Sequence, residues 1–435
     1  MRHAGTVLTC LVAVVGCGDS TKPAYPDGSP PPGSDGGPAG DARCAADNGG
    51  ITLPAGFCAS VFADGVGEAR EIAVTPMGRV FVATDGHVLA LFDANNDGVA
   101  EQRATIGDVG GNGIAWQDGQ LFVAANDRIV RYAMPDGTST PSSTIPVVVV
   151  TGLPATGDHP AKTIALRGSE MYVSVGSPSN ACQVVNRELR SPGKDPCPEL
   201  ETRAGVWKFD ATATDQKQCC ATRIATGMRN TNALAIEPTT GTLWGAINGR
   251  DQLHEDWPDR YSDVQDQQLP GEEVVAVTPE TDRGWPYCYY DVGVHQMKLA
   301  PEYSGDGTIQ GRCASIPPPP VALPAHAAPL GMVFVTGTQF PAEYRSGAFI
   351  ANHGSGFDPN AGSDLHGYDV VFVPFSKGKP TGELRRFATG FDAGRRPLPD
   401  AAPYRPVGLA MMPDGSLLIG DDQKGRIWRV FYTGT

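Results

Sequence analysis

The chain has 435 residues, with 54 glycines and 38 prolines against only 8% aromatic residues. That density of turn-forming residues excludes a mainly helical protein and fits many short strands joined by loops. The net charge of −14, from 34 basic and 48 acidic side chains, argues against nucleic acid as a partner, because phosphate binding needs a basic face.

At the N-terminus, Arg2 and His3 precede the apolar run "TVLTCLVAVVGC", which is too short to span a bilayer. It ends in Val14-Val15-Gly16-Cys17, which resembles a bacterial lipobox. Residues 1–16 are therefore expected to be a lipoprotein signal peptide, with Cys17 the lipidated first residue. The other reading is a simple secretory peptide cut near Gly16, and either one exports the protein. Residues 17–43 include "SPPPGSDGGPAGD" and lack apolar anchors. They are expected to form a disordered tether, so that the membrane is met through the lipid alone, facing the periplasm or the cell surface.

Over residues 44–435 one pattern recurs: an apolar strand, a tight polar turn, and a second strand alternating with period two. It is seen in "EIAVTPMGRVFVATDG" from Glu71, "GIAWQDGQLFVAAND" from Gly113 and "TIALRGSEMYVSVG" from Thr163. It returns in "ALAIEPTTGTLWGAING" from Ala233, "GMVFVTGTQFPAEYRSGAFIANHG" from Gly331 and "GLAMMPDGSLLIGDD" from Gly408. Six units over 51–432 average about 64 residues, longer than common propeller repeats, and the excess lies in insertions at 177–222 and 286–325. Two unrelated β-sandwiches would not explain one hairpin recurring to the C-terminus. The expected fold is all-β, a six-bladed β-propeller with disulfide-containing loop insertions, because radial sheets shield their strand edges and leave a central channel.

Excluding Cys10 and Cys17, eight cysteines remain, an even number that allows up to four disulfides in an exported chain. Cys44–Cys58 and Cys288–Cys313 are expected as local bridges. The pairing of Cys182, Cys197, Cys219 and Cys220 is open. No CxxC or CxxCH occurs, so neither a zinc ribbon nor covalent haem is indicated. "DANNDGVAE" places Asp93, Asn95 and Asp97 like the start of an EF-hand calcium loop, but Ala104 stands at the bidentate glutamate position. A structural calcium site and a plain Asx-rich turn both fit this loop, and neither is catalytic.

The ends of innermost strands ring a propeller's axis. Flanking the hairpins are Asn112, Asp158, His159, Ser177, Arg229, Asn230, Asn248 to Asp251, His326, Asn352, His353 and Arg405. A concave site lined by arginine and asparagine points to an anionic ligand.

The segments "DHPAKTIAL", "MYVSVGSPSNAC", "GMRNTNALAIEPTTGTLWGAING", "GWPYCYYD", "FIANHGS", "GYDVVFVPF" and "RPVGLAMMPDGSLLIGD" occur in this order. With them the chain resembles the PQQ-dependent sugar dehydrogenase family, the soluble glucose dehydrogenase and sorbosone dehydrogenase-like quinoproteins, from about Leu53 to Val430. The resemblance implies a six-bladed propeller carrying pyrroloquinoline quinone (PQQ) near the axis with Ca²⁺ beside it. It makes His159 the general base that takes a hydroxyl proton, with Asp158 placed to orient or polarise it. Arg229, Asn230 and Arg405 fall on cofactor-binding positions, and Asn248 and Gly249 lie where backbone carbonyls help hold calcium. Ser177 stands where the family has an aspartate, and Asp369 where a cofactor lysine would be sought. The implied reaction is oxidation of a small sugar, sorbosone-like aldehyde or polyol by hydride transfer to PQQ. With no haem motif, electrons leave to a separate acceptor. Two other classes compete: a noncatalytic carbohydrate- or protein-binding propeller, and a calcium-dependent lactonase-like hydrolase.

Overall fold

Along the strand Gln120–Ala124, Leu121 and Val123 pack toward the preceding sheet while Phe122 and Ala124 pack toward the following one. Alternation therefore does not separate core from solvent in this chain: both faces are apolar, and each faces a different neighbour. The computed structural model describes residues 43–135, 138–354, 367–382, 384–394 and 401–434. The expected signal peptide, Cys17 and the tether up to residue 42 lie outside these residues.

Six sheets of at least four strands follow one another, and their innermost strands begin at Ile72, Gly113, Ile164, Asn230, Pro329 and Pro406. These are the six hairpins expected from the sequence, and the fold is a six-bladed β-propeller. Each of the six seams between blades holds its own apolar cluster. The seam between the last two blades is the most aromatic, with Phe349, Phe372, Phe387 and Trp428 among its buried rings. The ring is closed by Phe57–Ala63, which pairs antiparallel with Ile427–Tyr432 from the far end of the chain. Closure thus joins segments far apart in the chain in one sheet, with Phe57–Ala63 as its outermost strand. Near the axis the blades approach closely: a Cβ on Gly408 would lie 2.3 Å from the Arg70 carbonyl oxygen.

The first insertion is shorter than expected. Gly205–Asp210 and Thr222–Thr226 are the third and fourth strands of blade 3, so the insertion proper is 176–204. "GVWKFD" was hidden by its polar, cysteine-rich flank, although Val206 and Trp207 enter opposite seams as in every other blade. In blade 4 the added chain forms a separate hairpin, Cys288–Asp291 with Gln296–Leu299. It also forms two short helices, Leu253–Asp256 and Asp263–Gln268. The second begins at a capping box in which Ser262 and Gln265 satisfy each other's backbone N–H.

Both expected local disulfides are present, and Cys182–Cys197 adds a third. Cys219 and Cys220 are exposed and unbridged, so the allowance of four disulfides is one too many among the described residues.

Candidate functional site

The loop 154–162 carries His159 to the axial end of blade 3, and its backbone is held by buried cations. Lys162, fully buried, donates from Nζ to the carbonyls of Pro154 and Pro160. Arg203 donates to the Thr156 carbonyl at 2.7 Å, and the Asp158 N–H donates to Pro178 at 3.0 Å. Burial pushes the Lys162 ammonium down to about 7, with Arg203 adding to the effect.

His159 Nδ1 lies 2.9 Å from the Ser177 carbonyl and 3.0 Å from Ser177 Oγ. The Ser177 hydroxyl donates its one proton to the Ser179 carbonyl at 2.7 Å. Oγ can therefore only accept, and Nδ1 must carry the imidazole proton. Nε2 is left with its lone pair and has no partner among the described residues. Burial, and next the positive charge of Arg229, push the imidazole down to about 3. The imidazole is thus neutral at ordinary pH, with its proton on Nδ1.

Asp158 does not orient His159. Its carboxylate accepts from Arg187 Nε at 3.1 Å and from Asn186 Nδ2 at 3.3 Å. The orienting group is Ser177, at the position where an aspartate was expected. Gly176 allows the close approach: a Cβ there would sit 2.6 Å from the His159 Cβ and 3.0 Å from Asn230 Oδ1. That contact also places His159 and Asn230 side by side.

Arg229 is buried and already largely committed. Nε donates to the Asn180 carbonyl at 3.1 Å, and Nη2 donates to Asn180 Oδ1 at 3.0 Å and Asp251 Oδ2 at 2.8 Å. Nη1 donates to the Gly249 carbonyl. Of five N–H groups, one on Nη1 remains, so Arg229 cannot offer a ligand carboxylate a pair of hydrogen bonds in this arrangement. Asn230 is buried, and its side-chain amide has no partner among the described residues. Asn248 uses Nδ2 on the Pro329 carbonyl at 2.9 Å. Asp251, which the sequence places only at the end of the flanking stretch 248–251, is the hub that joins Arg229, Arg187 and His326. Burial opposes its charge, but Arg229, His326 and Arg187 hold its carboxyl well below the usual range. Arg187, from the insertion, reaches Asp158, Asp251 and Gln252 together and so ties the insertion across the cleft.

A second polar arc covers the opposite side of the axis. Asn112 links Thr163 to Arg70, Arg70 pairs with Asp422, and His353 Nε2 meets Asp422 at 2.8 Å. Arg405 donates to the carbonyls of His353 and Gly354 and lies 6.0 Å from the Tyr368 ring centroid. These contacts bring the expected axial residues Asn112, His353 and Arg405 together. Asp369 is elsewhere: it is buried and paired with Asn352 and Arg386 inside blade 5.

The Asp93 loop is also removed from this site. Asp93 accepts from the Gly98 N–H at 2.9 Å and from Arg429 at 2.8 Å. Three carboxylate oxygens of Asp93, Asp97 and Glu101 lie within 4.8 Å of one another. Asn95 and Asp97 accept backbone N–H groups of the loop itself. The Arg429 guanidinium thus supplies the positive charge beside Asp93.

Comparison with known proteins agrees with this fold. A model of the TrAA12-like family matches residues 51–433. A PQQ-dependent sugar dehydrogenase from Hypocrea jecorina is 25% identical over 432 residues, covering 89% of this chain and 91% of that protein. Among solved structures, a calcium structure of the Trichoderma reesei family AA12 carbohydrate-active enzyme is similar at TM-score 0.70 and 21% identity. It covers 88% of this chain and 97% of that one. The holo PQQ domain of pyranose dehydrogenase from Coprinopsis cinerea is similar at TM-score 0.70 and 19% identity, with 88% and 97% covered. A match over most of the propeller decides the assignment: the chain belongs to the TrAA12-like family.

Proposed function

We propose that this protein is a PQQ-dependent oxidoreductase that oxidises a hydroxyl carbon of a small sugar, sorbosone-like aldehyde or polyol, with His159 as general base. One observation carries the reading: His159 is fixed through Nδ1 and keeps Nε2 unpartnered among the described residues, its Cβ and Asn230 Oδ1 both close on Gly176, and the buried Arg229 guanidinium is near enough to lower its imidazole. The names of the Hypocrea and Coprinopsis relatives point the same way.

The donor set fits an anionic, planar group. Asn230 has an uncommitted amide, Arg229 keeps one N–H, and Arg405 adds positive charge from the opposite arc. The Gly249 carbonyl accepts one N–H from Arg229 and has a second lone pair for a hard cation such as Ca²⁺. Asn230, Arg229 and Arg405 would hold PQQ, with Gly249 and Asn248 beside the calcium. When bound, PQQ supplies the two-electron acceptor for the hydride.

The chain's own contribution is positional and electrostatic. His159 Nε2 receives the hydroxyl proton, and the Ser177 carbonyl keeps the ring in the tautomer that can do so. Arg229, paired with Asp251 and keeping one N–H, would supply positive charge toward an anionic group held there. The 176–204 insertion, tied down through Arg187, limits water and substrate approach. The same proposal has the mature protein anchored through a lipid at Cys17 and passing electrons to a separate acceptor.

The test is to reconstitute the purified protein with PQQ and Ca²⁺ and assay dye reduction across sugars, with wild type and His159→Ala. The expected result is PQQ binding by both and turnover by wild type alone. Absence of PQQ binding would sink the oxidoreductase reading, and lactone hydrolysis without PQQ would establish the hydrolase instead.

A further inference from the structure

We propose that Cys219 and Cys220 form an exposed vicinal dithiol that converts reversibly to a disulfide within one turn and, when reduced, captures trivalent arsenicals. The six other described cysteines are all bridged, so these two are the only thiols among the described residues. They occupy the 3-10 turn Gln218–Cys220 between the third and fourth strands of blade 3. Side chains of adjacent residues on such a turn ordinarily diverge by about 120°. Here they converge, with Sγ atoms 3.2 Å apart and both residues exposed.

That convergence gives the pair a chemistry that neither thiol has alone. A trivalent arsenical such as phenylarsine oxide needs two thiols at once: both S–H bonds are exchanged for As–S bonds, and the oxide oxygen leaves as water. No electrons are transferred in that step. Oxidation needs a disulfide partner such as oxidised glutathione. One cysteine attacks it as the thiolate and releases one glutathione thiol; the other then attacks the mixed disulfide and releases the second. Two electrons and two protons leave the protein in the two glutathione molecules. The neighbouring Cys219 raises the Cys220 thiol.

The product is more easily reduced than the other bridges. Consecutive Cα atoms are about 3.8 Å apart across a trans peptide, below the usual range of roughly 4.4–6.8 Å for disulfides. The three long-range bridges span 5.8, 6.2 and 5.7 Å. A bond closed across adjacent residues departs from preferred geometry and is exposed, the two features of labile disulfides. The inference is independent of the PQQ reading.

The experiment uses the intact folded protein. After mild reductant, Ellman's reagent is expected to modify both Cys219 and Cys220, located by peptide mapping, and one equivalent of phenylarsine oxide to protect both. Oxidised glutathione is expected to give a 219–220 peptide lighter by two hydrogens, in monomeric protein. Cys219→Ser and Cys220→Ser should each abolish arsenical protection while leaving one reactive thiol. The proposal fails if both thiols react with Ellman's reagent but phenylarsine oxide protects neither. It also fails if glutathione yields stable mixed disulfides or dimers, or if the 219–220 bridge resists reductant as strongly as Cys182–Cys197.

Discussion

His159 donates its Nδ1 proton to the backbone carbonyl of Ser177 at 2.9 Å, so the imidazole is oriented by a neutral group rather than by a carboxylate. A neutral partner fixes the tautomer but does little to stabilise the imidazolium that proton transfer creates. The imidazole accordingly sits at about 3, below its ordinary 6.5, through burial and the Arg229 charge.

The pH profile follows directly. His159 is neutral throughout pH 5–8, so kcat/KM should have no acid limb in that range; a limb near 6.5 in wild type would contradict the assignment. Ser177→Asp places a carboxylate against Nδ1–H and should move the limb upward by about one to three pH units. The stability sign is also fixed. The folded value lies below the unfolded one, so this group's contribution is complete above about 6.5 and is lost as pH falls toward 3.

Lys162→Met removes both donors that hold Pro154 and Pro160. Leaving those carbonyls unsatisfied should cost about 1–3 kcal/mol in urea unfolding. The lysine falls from 10.5 to about 7 on folding, so the unfolded chain binds more protons between those values and wild-type stability rises with pH there. The variant should show a flatter slope over pH 7–10.

Arg229→Ala strips four acceptors of their donor and leaves Asp251 with Arg187 and His326. A loss of about 3 kcal/mol in denaturant midpoint experiments is expected. PQQ binding should weaken as well, since the Arg229 charge and its remaining N–H are lost. Arg229→Lys should recover only part, because an ammonium cannot reproduce the planar fork that reaches Asn180, Gly249 and Asp251 together.

Replacing Cys182 and Cys197 together with serine opens a bridge across 15 residues of the insertion, worth about 3 kcal/mol in loop-closure terms. Arg187 would then hold Asp158 and Asp251 less firmly. The expected result is faster proteolysis within 183–196 and a raised KM with a smaller change in kcat.

Much of the fold was legible because its signals are local. Each inner hairpin carries its own turn and its own alternating strands, so six could be found one at a time. Gly205–Asp210 escaped because its apolar residues are few and its flanks polar, and it becomes a strand only by pairing with Glu170–Val175. The closing strand Phe57–Ala63 has no local hairpin partner; its partner is Ile427–Tyr432.

The site divides along the same line. From the sequence alone came the blade number, the histidine ahead of the third hairpin, and the arginine and asparagine ahead of the fourth. Turn chemistry and strand periodicity act over a few residues, and the motifs are contiguous. Only the tertiary structure decided that Ser177 rather than Asp158 orients His159, and that Arg229 is bound to Asn180, Gly249 and Asp251. Those outcomes depend on which loops meet at the axis once six seams have packed. Hydrogen bonds between groups 49 residues apart, as for Arg229 and Asn180, leave no trace in local sequence.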